Sequence, residues 1–299
     1  MTDTADLWSA EARELIRRAL ALLPMGQSVD WSKSGAAQWR SAGWVHHFRA
    51  ATELPSIELD DLHGIDVQKS KLIANTAQFV RGFPANNALL WGARGTGKSS
   101  LVHALANAHR ADGLRLVEVN RVDLQGIGEL GAALGAEPYR FIVFCDDLSF
   151  EADDAGYKAL KSALEGSLLR ANGNVLIYAT SNRRHLLPER MSDNLDARHV
   201  EGELHESEAV EEKVSLSDRF GLWLSFYPFK QDAYLDVARH WTRKLGQEHG
   251  VAMTEEELDS ETFAKAAATW ALARGGRSGR SAQHFARDWV GKALMRSTP

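Results

Sequence analysis

Eight residues, Gly92-Ala93-Arg94-Gly95-Thr96-Gly97-Lys98-Ser99, follow the pattern G-x-x-x-x-G-K-[ST], and each position has a physical use. Glycines let the backbone curl so that its N–H groups face an anion. A helix starting near Lys98 adds its positive N-terminal end. Lys98 supplies a point charge to the β- and γ-phosphates of a nucleotide, the Ser99 hydroxyl is a ligand for Mg²⁺, and Ser100 completes the candidate binding set. In a chain of this length and ordinary composition the pattern arises by chance roughly one time in a hundred. A second element is the apolar run Phe141-Ile142-Val143-Phe144-Cys145, which ends in Asp146-Asp147, 48 residues after Lys98. A carboxylate at a strand tip beside a phosphate-binding loop holds Mg²⁺ through water, which assigns Asp146 to the metal side. Asp147 then orients or deprotonates an attacking water. The plain alternative is an acidic turn or helix cap, since Asp153 and Asp154 follow closely. Third, the strand-like run VLIYAT at 175–180 leads into Ser181-Asn182. The Asn182 amide suits a water beside the γ-phosphate, and an asparagine after a strand is also an ordinary turn residue.

These side chains need elements to hold them. From residue 64 the pattern alternates: a helix over 66–81, a short buried strand at 88–91, a glycine-rich turn, and a helix from Lys98 to about Arg110. Strands follow at 114–119, 141–145, 175–179 and 222–226, with a weaker helix over 122–134. Tyr157, Leu160, Leu164 and Leu168 share one helical face. Apolar strands alternating with helices predict a parallel sheet covered on both faces. The stretch 188–218 is polar, with six Glu between 201 and 212, and is expected as a loop with a helical piece. After Pro228 three helices, 230–249, 254–273 and 278–295, predict a small all-α lid. Before the core, 6–23 is an amphipathic helix ended by Pro24 and Gly26. Residues 27–50 carry Trp31, Trp39, Trp44 and Phe48, to be packed on the core or used at an interface. Residues 51–63 look like a linker. The expected organisation is a helical, Trp-rich extension over 1–52, an α/β core over 53–228 and a helical lid over 229–299.

Composition narrows the classes. The chain has 299 residues, 35 Lys+Arg against 40 Asp+Glu and a net charge of −5, which excludes a disordered or collagen-like chain. A single cysteine, Cys145, excludes an internal disulfide framework and a Cys-based zinc site. It sits in a strand run and is expected to be an inert core thiol. His46 and His47 have no acid at metal-ligand spacing and are expected at the surface or in packing. Mild acidity argues against a dedicated nucleic-acid or polybasic membrane protein. The last 26 residues nevertheless carry six Arg+Lys and one acid; a solvated helical face is the simpler reading and a nucleic-acid contact the other. No apolar run is long enough to span a membrane, the first residues do not resemble a signal peptide, and a cytoplasmic location is expected.

The loop, the acidic strand end, the asparagine after the next strand and the helical C-terminal stretch together resemble the AAA+ ATPases over residues 53–299. That resemblance implies ATP and Mg²⁺ as cofactors, ADP and phosphate as products, and a homo-oligomeric ring or partial ring. Leu62-His63-Gly64-Ile65 resembles the segment over the adenine, implying Gly64 and Ile65 as base contacts. Ser217-Asp218-Arg219-Phe220 resembles the arginine-finger motif, with Arg219 reaching a neighbour's γ-phosphate. Gly279-Arg280-Ser281-Ala282 resembles the second sensor, with Arg277 the alternative to Arg280. The wording at 144–151, 178–186, 216–224 and 276–280 resembles, more narrowly, an uncharacterised bacterial ATP-binding branch, domain-of-unknown-function family 815, which brings no substrate with it. Two departures matter. Asp147 stands where most AAA+ members have Glu, with Glu151 a possible substitute. Residues 121–131 lack the aromatic–aliphatic–Gly triplet of members that thread polypeptides. The expected function is an ATPase that couples hydrolysis to remodelling of an unknown protein partner. The alternatives are an ATP-gated scaffold with little turnover, or a loader of a DNA-associated ATPase.

Overall fold

The computed structural model describes residues 14, 29–42, 45–50, 54–150, 154–165, 173–183, 186, 198–200, 203–205 and 216–297. Its centre is a seven-stranded sheet built from β1 (Ala36–Ala42), β2 (Val45–Ala50), β3 (Ala88–Gly92), β4 (Leu114–Val119), β5 (Arg140–Cys145), β6 (Val175–Ser181) and β9 (Leu222–Phe226). The order is β2-β1-β4-β5-β6-β3-β9. All neighbours are parallel except β1 and β2. A parallel sheet has helices on both faces, so its strands are apolar on both sides. In β6 all seven residues are buried. Leu89 packs into one layer and Leu90 into the other, as do Val143 and Ile142. Helices α1 (Asp66–Val80), α2 (Lys98–Ala108), α3 (Ile127–Gly135) and α4 (Ala155–Glu165) connect the strands.

The lid consists of α5 (Gln231–Glu248), the single turn α6 (Glu255–Leu258), α7 (Glu261–Ala273) and α8 (Gly279–Ser297). The helix expected over 254–273 is two. Ser260 breaks it, because its hydroxyl accepts the Phe263 N–H and starts a new N-terminus. Tyr234, Phe263 and Phe285 of the lid join the same buried cluster as Leu62, Ile65 and Leu101 of the core.

Two expectations are corrected. Residues 36–50 do not belong to a helical extension: they are β1 and β2, added to the far edge of the sheet. Period-two alternation is present in β1, with Ala37 and Trp39 buried in one layer and Gln38 and Arg40 half-buried on the other side. Trp31 stands edge-on to Phe141 at 5.0 Å, and the buried Arg115 guanidinium donates to the Trp31 carbonyl at 2.8 Å. The tryptophans here serve packing. The helix expected over 6–23 and Trp44 lie outside the described residues, Glu14 apart, which is helical.

The acidic run at 58–61 is not a loose linker either. Leu59–Asp61 is a turn of 3-10 helix, and Asp61, only 4% exposed, accepts from Lys244 Nζ at 2.6 Å and His240 at 2.9 Å. This carboxylate therefore ties the core to α5 of the lid. Burial pushes its pKa up, but the bonds from Lys244, the Glu58 N–H and His240 outweigh that and hold it below the usual carboxylate value. Within 188–218 the described residues include an antiparallel hairpin, β7 (Arg198–Val200) with β8 (Glu203–His205).

Candidate functional site

The loop after β3 starts where a side chain could not fit. Gly92 has φ 127°, and a Cβ there would lie 2.0 Å from the Phe226 carbonyl oxygen. That closeness lets the Ala93 N–H bond the same oxygen at 2.9 Å, seating the loop on the end of β9. Gly97, φ 98°, turns the chain into α2. Lys98 follows, 7% exposed. Its ammonium donates to the carbonyls of Gly92 (2.9 Å) and Ala93 (2.8 Å) and, at 3.3 Å, to Asn182 Oδ1. Burial pushes the Lys98 pKa down, and the carboxylates of Asp146 and Asp147 oppose that shift.

Topology brings the acids and the asparagine here. β6 lies between β5 and β3, and all three are parallel. Their C-terminal ends therefore open at one edge, where open α/β sheets place ligands. Asp146 follows β5, and its Oδ1 accepts from Ser99 Oγ at 2.6 Å and from Thr180 Oγ1. Asp147 has φ 51°, the one positive value for a non-glycine among the described residues. The Asp147 N–H donates to Thr180 Oγ1 at 2.8 Å, and its carboxylate accepts from the Asn182 amide. Backbone strain at a strand tip of this kind persists only where neighbours impose it. Here Leu148 N–H to the Thr180 carbonyl, 2.7 Å, and Ser181 Oγ to the Leu148 carbonyl, 2.8 Å, clamp the turn to β6.

These groups line one cavity of about 450 Å³ between the core edge and the lid. Arg94 to Ser100, Asp146, Asp147, Asn182, Ile65 and Arg280 all face it. Gly92 and Ala93 form the base of the loop behind it. Arg280 enters from the first turn of α8, whose backbone N–H reaches the Gly95 carbonyl at 3.3 Å. Arg277 does not line the cavity; its carbonyl receives the Phe229 N–H. Gly64, φ 75°, packs beside Phe229 and Ala233 without facing the cavity, whereas its neighbours His63 and Ile65 do. Arg219 is not brought here. It pairs with Glu165 at the end of α4.

Several lining residues carry no clear signal in the sequence. Trp241, Val237 and Phe229 give the cavity an apolar part of its lining. They come from the lid and its approach, over a hundred residues away from the loop in sequence. Elsewhere, His46 stacks on Trp39 at 5.6 Å and bonds Glu129 at 3.1 Å. Cys145 is fully buried, its thiol pushed up to about 12 by burial and by Asp146, as expected of a core thiol.

The donor chemistry fits a hard cation. Ser99 Oγ and the Asp146 carboxylate are adjacent oxygens at the mouth of the loop. Among the described residues no group of three His, Cys, Asp or Glu forms an all-protein metal cage. Mg²⁺ takes one or two protein oxygens and completes its shell with water and phosphate, which is what this pair offers.

The family model "Protein of unknown function (DUF815)" matches residues 32–293. The chain belongs to the DUF815 family. Among solved structures, this DUF815 chain is similar to a single-site variant of RuvB from Thermotoga maritima, with a TM-score of 0.53 and 19% identity over 81% of this chain and 67% of that one. It is also similar to the ORC1 protein of Aeropyrum pernix solved in complex with DNA, with a TM-score of 0.51 and 18% identity over 79% of this chain and 61% of that one. The DUF815 chain thus spans about two thirds of the length of these proteins, and at such identity the likeness is one of fold. That fold is the AAA+ type, αβα with a helical C-terminal part. No curated protein shows significant similarity to the chain.

Proposed function

We propose that this protein is an ATPase whose cavity binds ATP with Mg²⁺ and hydrolyses it to ADP and phosphate. The observation that carries the reading is convergence: the phosphate loop, Asp146, Asp147, Asn182 and Arg280 come from three strand ends and a lid helix to line a single cavity. Loop N–H groups and Lys98 receive the β- and γ-phosphates, exchanging the carbonyls that Lys98 now holds. Ser99 and Asp146 hold the cation, which neutralises phosphate charge. Asp147 accepts the proton of the attacking water, and Asn182, already bonded to it, sets the water's position. Arg280 reads the γ-phosphate from the lid, so hydrolysis changes what holds lid to core and drives movement against a protein partner. Ile57, Ile65, Val237 and Trp241 offer apolar walls to the base. Arg219 serves the site of a neighbouring copy in a ring or partial ring.

A second reading is an ATP-gated switch with slow turnover. It is supported by the short Asp147 side chain, tied to Asn182 in this state, which must leave that bond to meet a water. A third reading is the loading of a DNA-associated ATPase, which salt-sensitive retention on DNA would support. Among the described residues no helix is long and apolar enough to cross a membrane. The test is binding of a fluorescent ATP analogue together with phosphate release. Lys98→Ala, which removes the proposed phosphate contact together with the ammonium's bonds to the Gly92 and Ala93 carbonyls, should lose tight binding and turnover. Wild-type binding in that variant would overturn the site.

A further inference from the structure

Between residues 262 and 287 the chain has no Asp or Glu but carries Lys265, Arg274, Arg277, Arg280, His284 and Arg287. On α8 the positions 280, 284 and 287 fall within roughly 60° of arc and extend about 10 Å along the axis. Ala282, Phe285, Ala286 and Val290, on the opposite face, are buried. Arg280, His284 and Arg287 are exposed, as are Arg274 and Arg277 on the turn leading into the helix. Several other lid cations are paired: Arg239 with Asp236 and Asp259, Arg243 with Glu255, Lys265 with Glu261, Lys292 with Asp288. None of the four arginines of this stripe has a carboxylate partner among the described residues. Arg274 instead lies flat over the Trp270 ring, 3.5 Å from its centroid. Gly275 and Gly276, at the bend between them, have open space where a side chain would be, so an extended ligand can approach the backbone.

We infer that this face of the lid is a binding surface for the phosphate backbone of a nucleic acid. Charge complementarity chooses the occupant. A nucleic-acid strand carries one negative charge about every 3.4 Å of axis, a run of anions that several exposed, unpaired arginine forks can meet. Each fork can hold two phosphate oxygens. An acidic protein segment offers only what this chain already has in excess, 40 Asp+Glu in a net charge of −5. The stripe is separate from the nucleotide cavity except at Arg280, whose helix starts at that cavity, so an anion on the outer face acts on the same helix that contacts the phosphate loop.

The test is fluorescence anisotropy of full-length protein with a short labelled DNA duplex and with its single strand, without nucleotide, over a range of salt. About three phosphate contacts predict that log affinity falls with log salt at a slope near −2.7 on duplex. Arg274→Ala with Arg287→Ala should flatten the slope by about 2 and weaken binding about tenfold or more at low salt. Arg274→Lys with Arg287→Lys, which keeps the charge, should keep most of the slope. Unchanged thermal midpoints in both double variants exclude misfolding. No binding by the wild-type chain at low salt overturns the inference, as does an alanine variant that binds like wild type. Displacement of DNA by polyglutamate at equal charge would assign the surface to an acidic protein and also overturn it.

Discussion

A single threonine hydroxyl sets the relative position of the two acids: Thr180 Oγ1 donates to Asp146 and accepts from the Asp147 N–H. Both carboxylates are thus referred to one atom on β6, the strand that Asn182 follows. Thr180→Val keeps shape and volume but leaves the Asp147 N–H without its partner, at a cost of about 1–3 kcal/mol. The larger effect should be on rate, since misplacing a catalytic group by an ångström costs up to about a hundredfold. ATP affinity should stay near wild type while phosphate release falls about tenfold or more. Equal loss of affinity and rate would mean that Thr180 only supports the fold. Asp146 and Asp147 were legible in sequence because they end an uninterrupted apolar run, and Asn182 because it follows a strand-like run, and polar groups at the tips of buried strands are few. Thr180 was not singled out, because a threonine inside a strand is ordinary.

Strands and helices of the core were legible for the same reason, with β4 and β9 falling at their expected bounds. The edge strands β1 and β2 were not. Their alternation is short, interrupted by serine and glycine, and β2 is half-exposed, so only the partner strand reveals them. Together they form a brace on the segment after β4. Asp123 accepts from the Ser41 N–H (2.9 Å) and hydroxyl (2.6 Å), and His46 bonds Glu129 of α3. Residues 121–126 form a 3-10 turn there. Gly126 is closely covered there: a Cβ on it would meet the His46 ring at 2.5 Å. His46 is stacked on Trp39 and cannot withdraw freely. Gly126→Ala should therefore destabilise by about 1–3 kcal/mol, the usual cost of overpacking, and adding His46→Ala should restore part of it. Thermal unfolding of the single and double variants checks this; additive losses would show that the brace is not where the strain falls.

At the scale of the whole molecule, the lid and core meet through Asp61 and through α8 at the phosphate loop, contacts that join residues some 180 positions apart and leave no local mark in the sequence. The candidate finger Arg219 does not line its own cavity and is held by Glu165, so a copy that offers it to a neighbour must exchange a carboxylate for a phosphate. Activity per subunit should then rise with protein concentration. Mixing Arg219→Ala chains with Lys98→Ala chains should restore activity that neither has alone, because one supplies an intact pocket and the other an intact finger. A flat specific rate and a dead mixture would describe a monomer with its whole site in one chain. The most direct measurement is made on Asp147→Asn, which keeps the size of the side chain and leaves Asp146 and Ser99 in place. We predict that it binds an ATP analogue as tightly as the wild type, with Mg²⁺ dependence intact, while phosphate release slows at least about tenfold. A wild-type rate of phosphate release in this variant would contradict the assignment of Asp147 and move the search for the base elsewhere.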